Sequence, residues 1–463
     1  MYIKMLLFDT FKNVWYISSM KRTIIEQLLN WKQKPSRKPL ILRGTRQVGK
    51  SWVLKHLGSY FQNFHYINFE RDQKFNSIFN DSLNPEEVIR KLELLLNQDI
   101  NIQNDLVIFD EIQDCPRALT SLKYFCEDMP QLALCSAGSH LGINFSSSDA
   151  FPTGKIENFN MFPMTFEEFL MEKYPRLIDS YRAYTISGTE HTMLKKAYFD
   201  YLFTGGMPEV VKNFSDKLSD INNCRDIQND LLVAYSSDFA KYASGQNSSH
   251  LLAVYKNIPH QLQANIDESV SRFKFKGVIK NRSRYSQFKG PIDWLVHTGI
   301  ILQCLNVKDN SLPLIAKENI FKLFYHDTGL LQASLNLGYM DISGNQYGSY
   351  KGFIAENFVA QELTAQNISL KTWQVNDSSS KSELEFLLNH RGLLIPVEAK
   401  SSFKTQKAKS LLAYKKKYSP KVSVKFSGLN LRFEKDQINA PIYLSGRIVD
   451  LVDHFLGDLT MMN

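Results

Sequence analysis

The chain has 463 residues, 55 Lys+Arg against 47 Asp+Glu, and a formal net charge of +8. Its 43% hydrophobic and 22% charged residues are ordinary for a globular protein and exclude a collagen, a disordered tail protein and a disulfide scaffold. At about 100–200 residues per domain the length predicts two to four domains, and the diffuse charge points only weakly to nucleic acid.

The first 19 residues are apolar, but Asp9 and Lys12 interrupt them and no small-residue cleavage site follows, which argues against a secretory signal. Helical periodicity begins at Met20-Lys21-Arg22 with Ile24, Ile25, Leu28 and Leu29. Residues 1–19 therefore read as a loose extension, with Met20 as a candidate true start. Five scattered cysteines (Cys115, Cys126, Cys135, Cys224, Cys304) have neither paired nor zinc-like spacing, as expected of core thiols in a reducing compartment. No apolar run of about 18 residues occurs, so the expectation is a cytoplasmic protein with no membrane partner.

An amphipathic helix over 21–32 precedes Pro39-Leu40-Ile41-Leu42, a short apolar run typical of a buried parallel strand. Further strands are predicted at 66–69, 106–109 and 132–135, separated by helices from Trp52, over 85–97 and over 116–127. This alternation argues an α/β parallel sheet. From Phe166 to about 243 the pattern is helical, broken by Gly205-Gly206-Met207-Pro208. Several short helices are expected over 248–306, ending in an extended run at 300–305. Beyond about 320 an α/β pattern resumes, with a helix at 352–365, strands near 383–388 and 393–398, and a lysine-rich helix at 404–417.

Gly44-Thr45-Arg46-Gln47-Val48-Gly49-Lys50-Ser51 matches G-x-x-x-x-G-K-[ST] in full and lies between a predicted strand and a predicted helix. The glycines let successive N–H groups face a phosphate, Lys50 reaches the β- and γ-phosphates, and the Ser51 hydroxyl suits Mg²⁺. The second half of such a site lies 59 residues beyond Ser51, at Leu106-Val107-Ile108-Phe109-Asp110-Glu111. There Asp110 is expected at the metal and Glu111 beside the attacking water. Ser139, after the fourth strand, is a candidate γ-phosphate sensor; an ordinary turn serine is the alternative. ATP and Mg²⁺ are the cofactors these residues call for.

These residues resemble the prokaryotic AAA-type ATPases that carry a C-terminal DUF4143 domain. The resemblance also rests on Pro163-Met164-Thr165-Phe166-Glu167-Glu168-Phe169, Tyr201-Leu202-Phe203-Thr204-Gly205-Gly206-Met207-Pro208-Glu209 and Ile258-Pro259-His260-Gln261-Leu262. Asp327-Thr328-Gly329-Leu330-Leu331 and Pro396-Val397-Glu398-Ala399-Lys400-Ser401 continue it. It implies a P-loop AAA-like core (20–170), a helical lid (171–245), a winged-helix segment (246–310) and a restriction-endonuclease-like α/β domain (320–463). Where relatives carry Gly-Arg, this chain has Gly154-Lys155, which loses the bidentate fork and weakens any phosphate-sensing role there. The sequence secures no arginine finger; Arg117 and Arg225 are candidates.

Residues 271–290 hold seven Lys/Arg and no acid, interleaved with Phe273, Phe275, Tyr285 and Phe288. They read equally as a phosphate-contacting face or as solvated surface over core aromatics. A second acid-free, lysine-rich stretch covers 399–433. DNA is thus a candidate partner, as are a protein partner and a second copy of the chain. Glu385 followed 13 residues later by Glu398-x-Lys400, with Glu356 on the preceding helix, has the layout of PD-(D/E)xK nucleases. Glu385 stands where that layout usually has Asp, which shifts the carboxylate by about 1 Å. A nuclease-like domain kept for binding is therefore favoured over an active nuclease. The expectation is a Mg²⁺-dependent ATPase whose nucleotide state moves the C-terminal half; an ATP-gated nuclease and a nucleotide-dependent scaffold are the alternatives.

Overall fold

The computed structural model describes residues 20–139, 152–215, 217–242, 246–264, 272–344, 346, 348–376, 381–402 and 408–461. The extension and the alternative start at Met20 concern residues 1–19, outside this set.

Five strands build the N-terminal sheet: β1 (Leu40–Arg43), β2 (Phe64–Asn68), β3 (Leu106–Asp110), β4 (Ala133–Gly138) and β5 (Glu157–Asn160). All pair in parallel, in the order β2-β3-β4-β1-β5. The apolar runs read from the sequence are its central strands, and alternate residues feed two cores. Leu40, Leu42, Leu106 and Ile108 pack with helices Ile24–Gln33 and Lys50–Gly58. Ile41, Val107 and Phe109 pack with Pro85–Leu96 and Pro116–Asp128. Short β5, only partly buried, carries no such run and gave no signal.

The helical middle comprises Phe166–Lys173, Gly188–Thr204, Pro208–Asn213, Leu218–Tyr242 and Gln246–Ala264. This last helix runs 19 residues with Pro259 inside it, where several short helices were expected. A turn-rich stretch leads to helix Lys289–His297 and the antiparallel pair β6 (Ile301–Val307) and β7 (Ala316–Tyr325). β6 also pairs in parallel with β8 (Lys371–Asn376), which pairs with β9 (Lys381–Leu384), so a four-stranded sheet β7-β6-β8-β9 joins the middle to the C-terminal part.

The single strand expected near 383–388 is two: the chain turns at Glu385 from β9 into β10 (Phe386–His390), in a different sheet. That sheet, in the order β10-β11-β12-β14-β13, adds β11 (Leu393–Ala399), β12 (Ser423–Ser427), β13 (Arg432–Glu434) and β14 (Gln437–Pro441). Helices Lys351–Ala365, Lys409–Tyr418 and Ile448–Met461 complete the chain. The lysine-rich helix begins at Lys409; Lys404 and Lys407 lie outside the described residues.

Three of the sequence motifs meet at one point. The Gly206 carbonyl accepts from the Met164 amide at 2.7 Å, and the Gly206 amide donates to Asp327 Oδ2 at 2.6 Å. A Cβ on Gly206 would lie 2.0 Å from the Met164 carbonyl oxygen, and one on Gly329 would lie 2.4 Å from that of Thr204. The Tyr201 hydroxyl donates to the Met164 carbonyl, Gln361 donates to Tyr201 at 2.7 Å, and the Gln361 carbonyl accepts from the Thr328 amide at 2.9 Å. Segments from the sheet, the helical middle and the C-terminal part are thus tied through buried hydrogen bonds, most of them to backbone groups. Gly206→Ala should destabilise the chain by about 3 kcal/mol or more, read as a lowered unfolding midpoint in calorimetry, whereas Gly277→Ala, with nothing within 4 Å of its Cβ, gives the cost of its positive φ alone.

Candidate functional site at the carboxyl edge of the parallel sheet

The loop Gly44–Gly49 joins β1 to helix Lys50–Gly58 and turns sharply through Gln47 (φ 64°) and Gly49 (φ 96°). A Cβ on Gly44 would meet the Met161 carbonyl oxygen at 2.2 Å, so glycine is needed there for packing as well as for bending. Lys50 Nζ donates to the carbonyls of Gly44 and Thr45, both at 2.9 Å. Burial pulls its pKa down to about 8, against the opposing pull of Glu111 and Asp110.

Parallel order carries β3 to the same edge with β4 between it and β1, which brings Asp110 and Glu111 to the loop. Asp110 is buried and uses both oxygens: Oδ1 accepts from the Glu111 amide at 3.0 Å and Oδ2 from the Tyr66 hydroxyl at 2.5 Å. Glu111 has left-handed backbone (φ 51°), an uncommon state for a non-glycine residue and one found at functional sites. Its Oε2 accepts from Gln113 Nε2 at 2.6 Å, and burial raises its pKa. Ser139, at the end of β4, is buried, and its Oγ has no hydrogen-bond partner among the described residues. Thus Lys50, Ser51, Asp110, Glu111 and Ser139 gather at one edge. An acidic, hydroxyl-bearing, oxygen-only set with Lys50 beside it suits a hard divalent ion held together with phosphate.

Several residues that hold this edge were not singled out for it in the sequence. Arg22 is buried, pairs with Glu168 at 3.2 Å, and donates to the Val48 carbonyl at 2.8 Å and to the Phe162 carbonyl at 2.7 Å. Glu168 also completes a capping box with Thr165 and accepts from the Thr23 amide at 2.7 Å. From helix Leu218–Tyr242, Asp238 pairs with Arg46 at 2.8 Å and the Tyr235 hydroxyl donates to the Arg46 carbonyl at 3.0 Å. Tyr235 also meets His326 Nε2 at 3.3 Å, and His326 Nδ1 meets the Ile300 carbonyl at 2.8 Å. Burial pushes His326 down to about 4, so it is neutral. A cavity of about 480 Å³ lies alongside, lined by Gly44, Thr45 and Ser139 on one side and by His297, His326 and Gln361 on the other.

The arginine-finger candidates are held within the chain. Arg117 donates to the Phe79 carbonyl at 2.6 Å, and Arg225 stacks on Phe203 and donates to Gln228 at 2.8 Å. Lys155 precedes β5 at the opposite, amino-terminal edge of the sheet and pairs with Glu127 at 2.8 Å.

The C-terminal carboxylates converge, but on lysines. Lys400 pairs with Glu398 at 2.6 Å and Glu385 at 3.1 Å. Lys322 of β7, unnoticed in the sequence, pairs with Glu356 at 2.9 Å and with Glu383. Burial and the neighbouring Glu398 raise the Glu385 carboxyl. Burial alone would lower Lys322, yet the carboxylates of Glu356, Glu383 and Glu385 outweigh it and hold the ammonium well above the usual lysine range. Among the described residues no group of three His, Cys, Asp or Glu is arranged to hold a metal ion.

In the basic stretch the aromatics turn inward and the cations outward. Phe273 and Phe288 are buried and cluster with Phe275, Tyr285 and Phe321, while Arg272, Lys276, Lys280, Arg284 and Lys289 are exposed. In the second stretch Lys415 is held by Asp436 at 2.8 Å, and Lys409, Lys416 and Lys417 are exposed.

Family models match three consecutive parts of the chain: an AAA domain over residues 36–170, a domain of unknown function (DUF8612) over 195–341, and a second (DUF4143) over 351–444. The chain carries an AAA domain and a DUF4143 domain. The AAA domain contains the whole phosphate-loop edge and implies nucleotide binding. The DUF4143 domain supplies Glu356, Glu383, Glu385, Glu398 and Lys400, whereas Lys322 comes from the DUF8612 segment. Among solved structures, the chain is similar to the Walker-type ATPase of Pyrococcus abyssi, with 14% identity, 68% of this chain and 96% of that chain covered, and a TM-score of 0.41. It is similar also to the Drosophila ORC bound to DNA, with 13% identity, coverage of 70% and 95%, and a TM-score of 0.27. No curated protein matches it. No helix among the described residues is long and apolar enough to cross a membrane.

An anion that engages Lys50 keeps it charged, and its pKa of about 8 gives that requirement a pH signature. ATP affinity should weaken as the pH rises from about 7 to about 9, with proton uptake on binding above about 8. Calorimetry in buffers of different ionisation heat reads both.

Proposed function

We propose that the chain is a Mg²⁺-dependent ATPase of the AAA type whose nucleotide state is passed to its C-terminal half. The gathering of Lys50, Ser51, Asp110 and Glu111 at one edge of an AAA sheet carries this reading. Backbone N–H groups of Thr45–Gly49 and the Lys50 ammonium hold the β- and γ-phosphates. When bound, Mg²⁺ at Ser51 and Asp110 supplies positive charge against the phosphate oxygens. Glu111, fixed by its left-handed backbone and by Gln113, orients the water that attacks the γ-phosphorus as the bond to the bridging oxygen breaks. Ser139 contributes its hydroxyl to the γ-phosphate. Arg46 and Tyr235 link the loop to helix Leu218–Tyr242 and, through His326, to β7.

Lys50→Ala should abolish ATP binding. Glu111→Gln should keep binding while turnover falls by about 10²-fold or more. Steady-state phosphate release together with nucleotide-binding titration reads both, and equal turnover in wild type and Glu111→Gln would remove Glu111 from the mechanism.

For the partner, we propose a nucleic-acid backbone contacted by the exposed cations of 272–289. The support is the division of that stretch into an inward aromatic cluster and an outward row of cations. Helix Lys289–His297 buries Ile292 and Leu295, and its carboxyl end lines the cavity at the phosphate loop. The contact therefore falls on the turns before the helix. The two lysines that engage the DUF4143 carboxylates favour a charge-compensated domain kept for binding over a metal-dependent nuclease. Replacing Lys276, Lys280 and Arg284 by Ala should weaken DNA binding uniformly across sequences and shallow its salt dependence by about one unit for each phosphate no longer neutralised. Fluorescence anisotropy over a salt series tests this; an unchanged slope would discard the surface.

A further inference from the structure

Tyr66 lies on β2, whose Asn68 is in register with Asp110 on β3. Its hydroxyl donates to Asp110 Oδ2 at 2.5 Å and receives Asn68 Nδ2 at 3.3 Å. From the next turn of the P-loop helix, Lys55 Nζ lies 3.9 Å over the Tyr66 ring. Tyr66 therefore touches Asp110, one of the two residues assigned to the divalent ion, while its ring packs under Lys55 of the helix that carries Ser51.

A carboxylate at a strand end has one free rotation about its Cβ–Cγ bond. Asp110 is held at Oδ1 by the Glu111 amide and at Oδ2 by Tyr66, so its plane is fixed by two donors at nearly opposite ends. Without the phenol, Oδ2 loses that donor. A tyrosine phenol is protonated at physiological pH, so the Tyr66 hydroxyl serves Asp110 as a donor.

We propose that Tyr66 is a positioning residue of the nucleotide site: its hydroxyl orients Asp110 beside Ser51 for the divalent ion that accompanies the triphosphate. This rests on the ATPase reading and deepens it. Tyr66 acts through Asp110 and touches neither nucleotide nor water in the reaction. Tyr66→Phe is the discriminating variant, because it keeps the ring, its packing and its contact with Lys55 and removes only the donor.

The experiment compares full-length wild type, Tyr66→Phe and Lys50→Ala in binding a non-hydrolysable ATP analogue with and without Mg²⁺, followed by turnover across a Mg²⁺ series. Analogue affinity in EDTA should be equal in wild type and Tyr66→Phe. The gain in affinity on adding Mg²⁺ should shrink by about 5- to 10-fold in Tyr66→Phe. The Mg²⁺ concentration for half-maximal turnover should rise by a similar factor, while the KM for Mg-ATP at saturating metal changes less than kcat. An unchanged Mg²⁺ gain overturns the inference, as does a larger gain, which would make the hydroxyl a competitor of the ion. An equal loss of affinity with and without Mg²⁺ also overturns it, since a merely structural tyrosine gives that result. A chain that binds the analogue but releases no phosphate sinks hydrolysis alone, and the Mg²⁺ gain still decides the role of Tyr66. Binding unaffected by Lys50→Ala sinks the site and the inference together.

Discussion

The organisation of this chain turns on one peptide unit with no room for a side chain. Gly206 offers its carbonyl to the segment leaving the AAA sheet and its amide to Asp327. Both bonds are made in a buried junction, where an unmade bond leaves a polar group without a partner. The approach that makes them possible is about a carbon atom too close for alanine. Asp327 is itself fully buried, and burial raises its carboxyl to about 6 despite the three backbone amides of Gly206, Leu330 and Gly329 that oppose the shift. Since the segment 161–164 runs from beside Gly44 to Gly206, the same junction reaches the phosphate loop.

A second set of contacts grips the loop itself. Arg22 holds the Val48 carbonyl and is held in turn by Glu168, while Tyr235 and Asp238 hold the carbonyl and guanidinium of Arg46. The Tyr235 proton has two acceptors within reach, the Arg46 carbonyl and the neutral His326, and can satisfy only one at a time. Lys50 meanwhile turns onto the loop's own carbonyls, where phosphate would compete for it. Loop, helical middle and β7 thus share polar groups.

The C-terminal cluster shows how one unanticipated residue changes a chemical reading. Four carboxylates in a buried space would call for a metal ion or for protonation. Lys322, brought in on β7 from a different segment, and Lys400 supply two positive charges in place of that ion. Glu385, at the turn between β9 and β10, and Glu398 on β11 suit a nuclease-like layout, but Lys400 takes one oxygen of each.

Local pattern alone determined much of this protein. Apolar runs bounded by turns marked the central strands, because a strand buried on both faces must be apolar throughout. The Gly-Lys-Ser loop and the strand-end Asp110-Glu111 were legible because their chemistry needs fixed residue types at fixed short spacing. Gly205-Gly206 and Asp327-Thr328-Gly329 were visible as motifs, yet their purpose was not, since each is explained only by the other, more than a hundred residues away. The partly buried β5, the break at Glu385, Arg22, Tyr66, Tyr235 and Lys322 carried no local signal at all. Their roles come from long-range pairing and burial: a tyrosine becomes the partner of Asp110, and a lysine the counter-ion of two glutamates, only when the sheets bring them within hydrogen-bond distance.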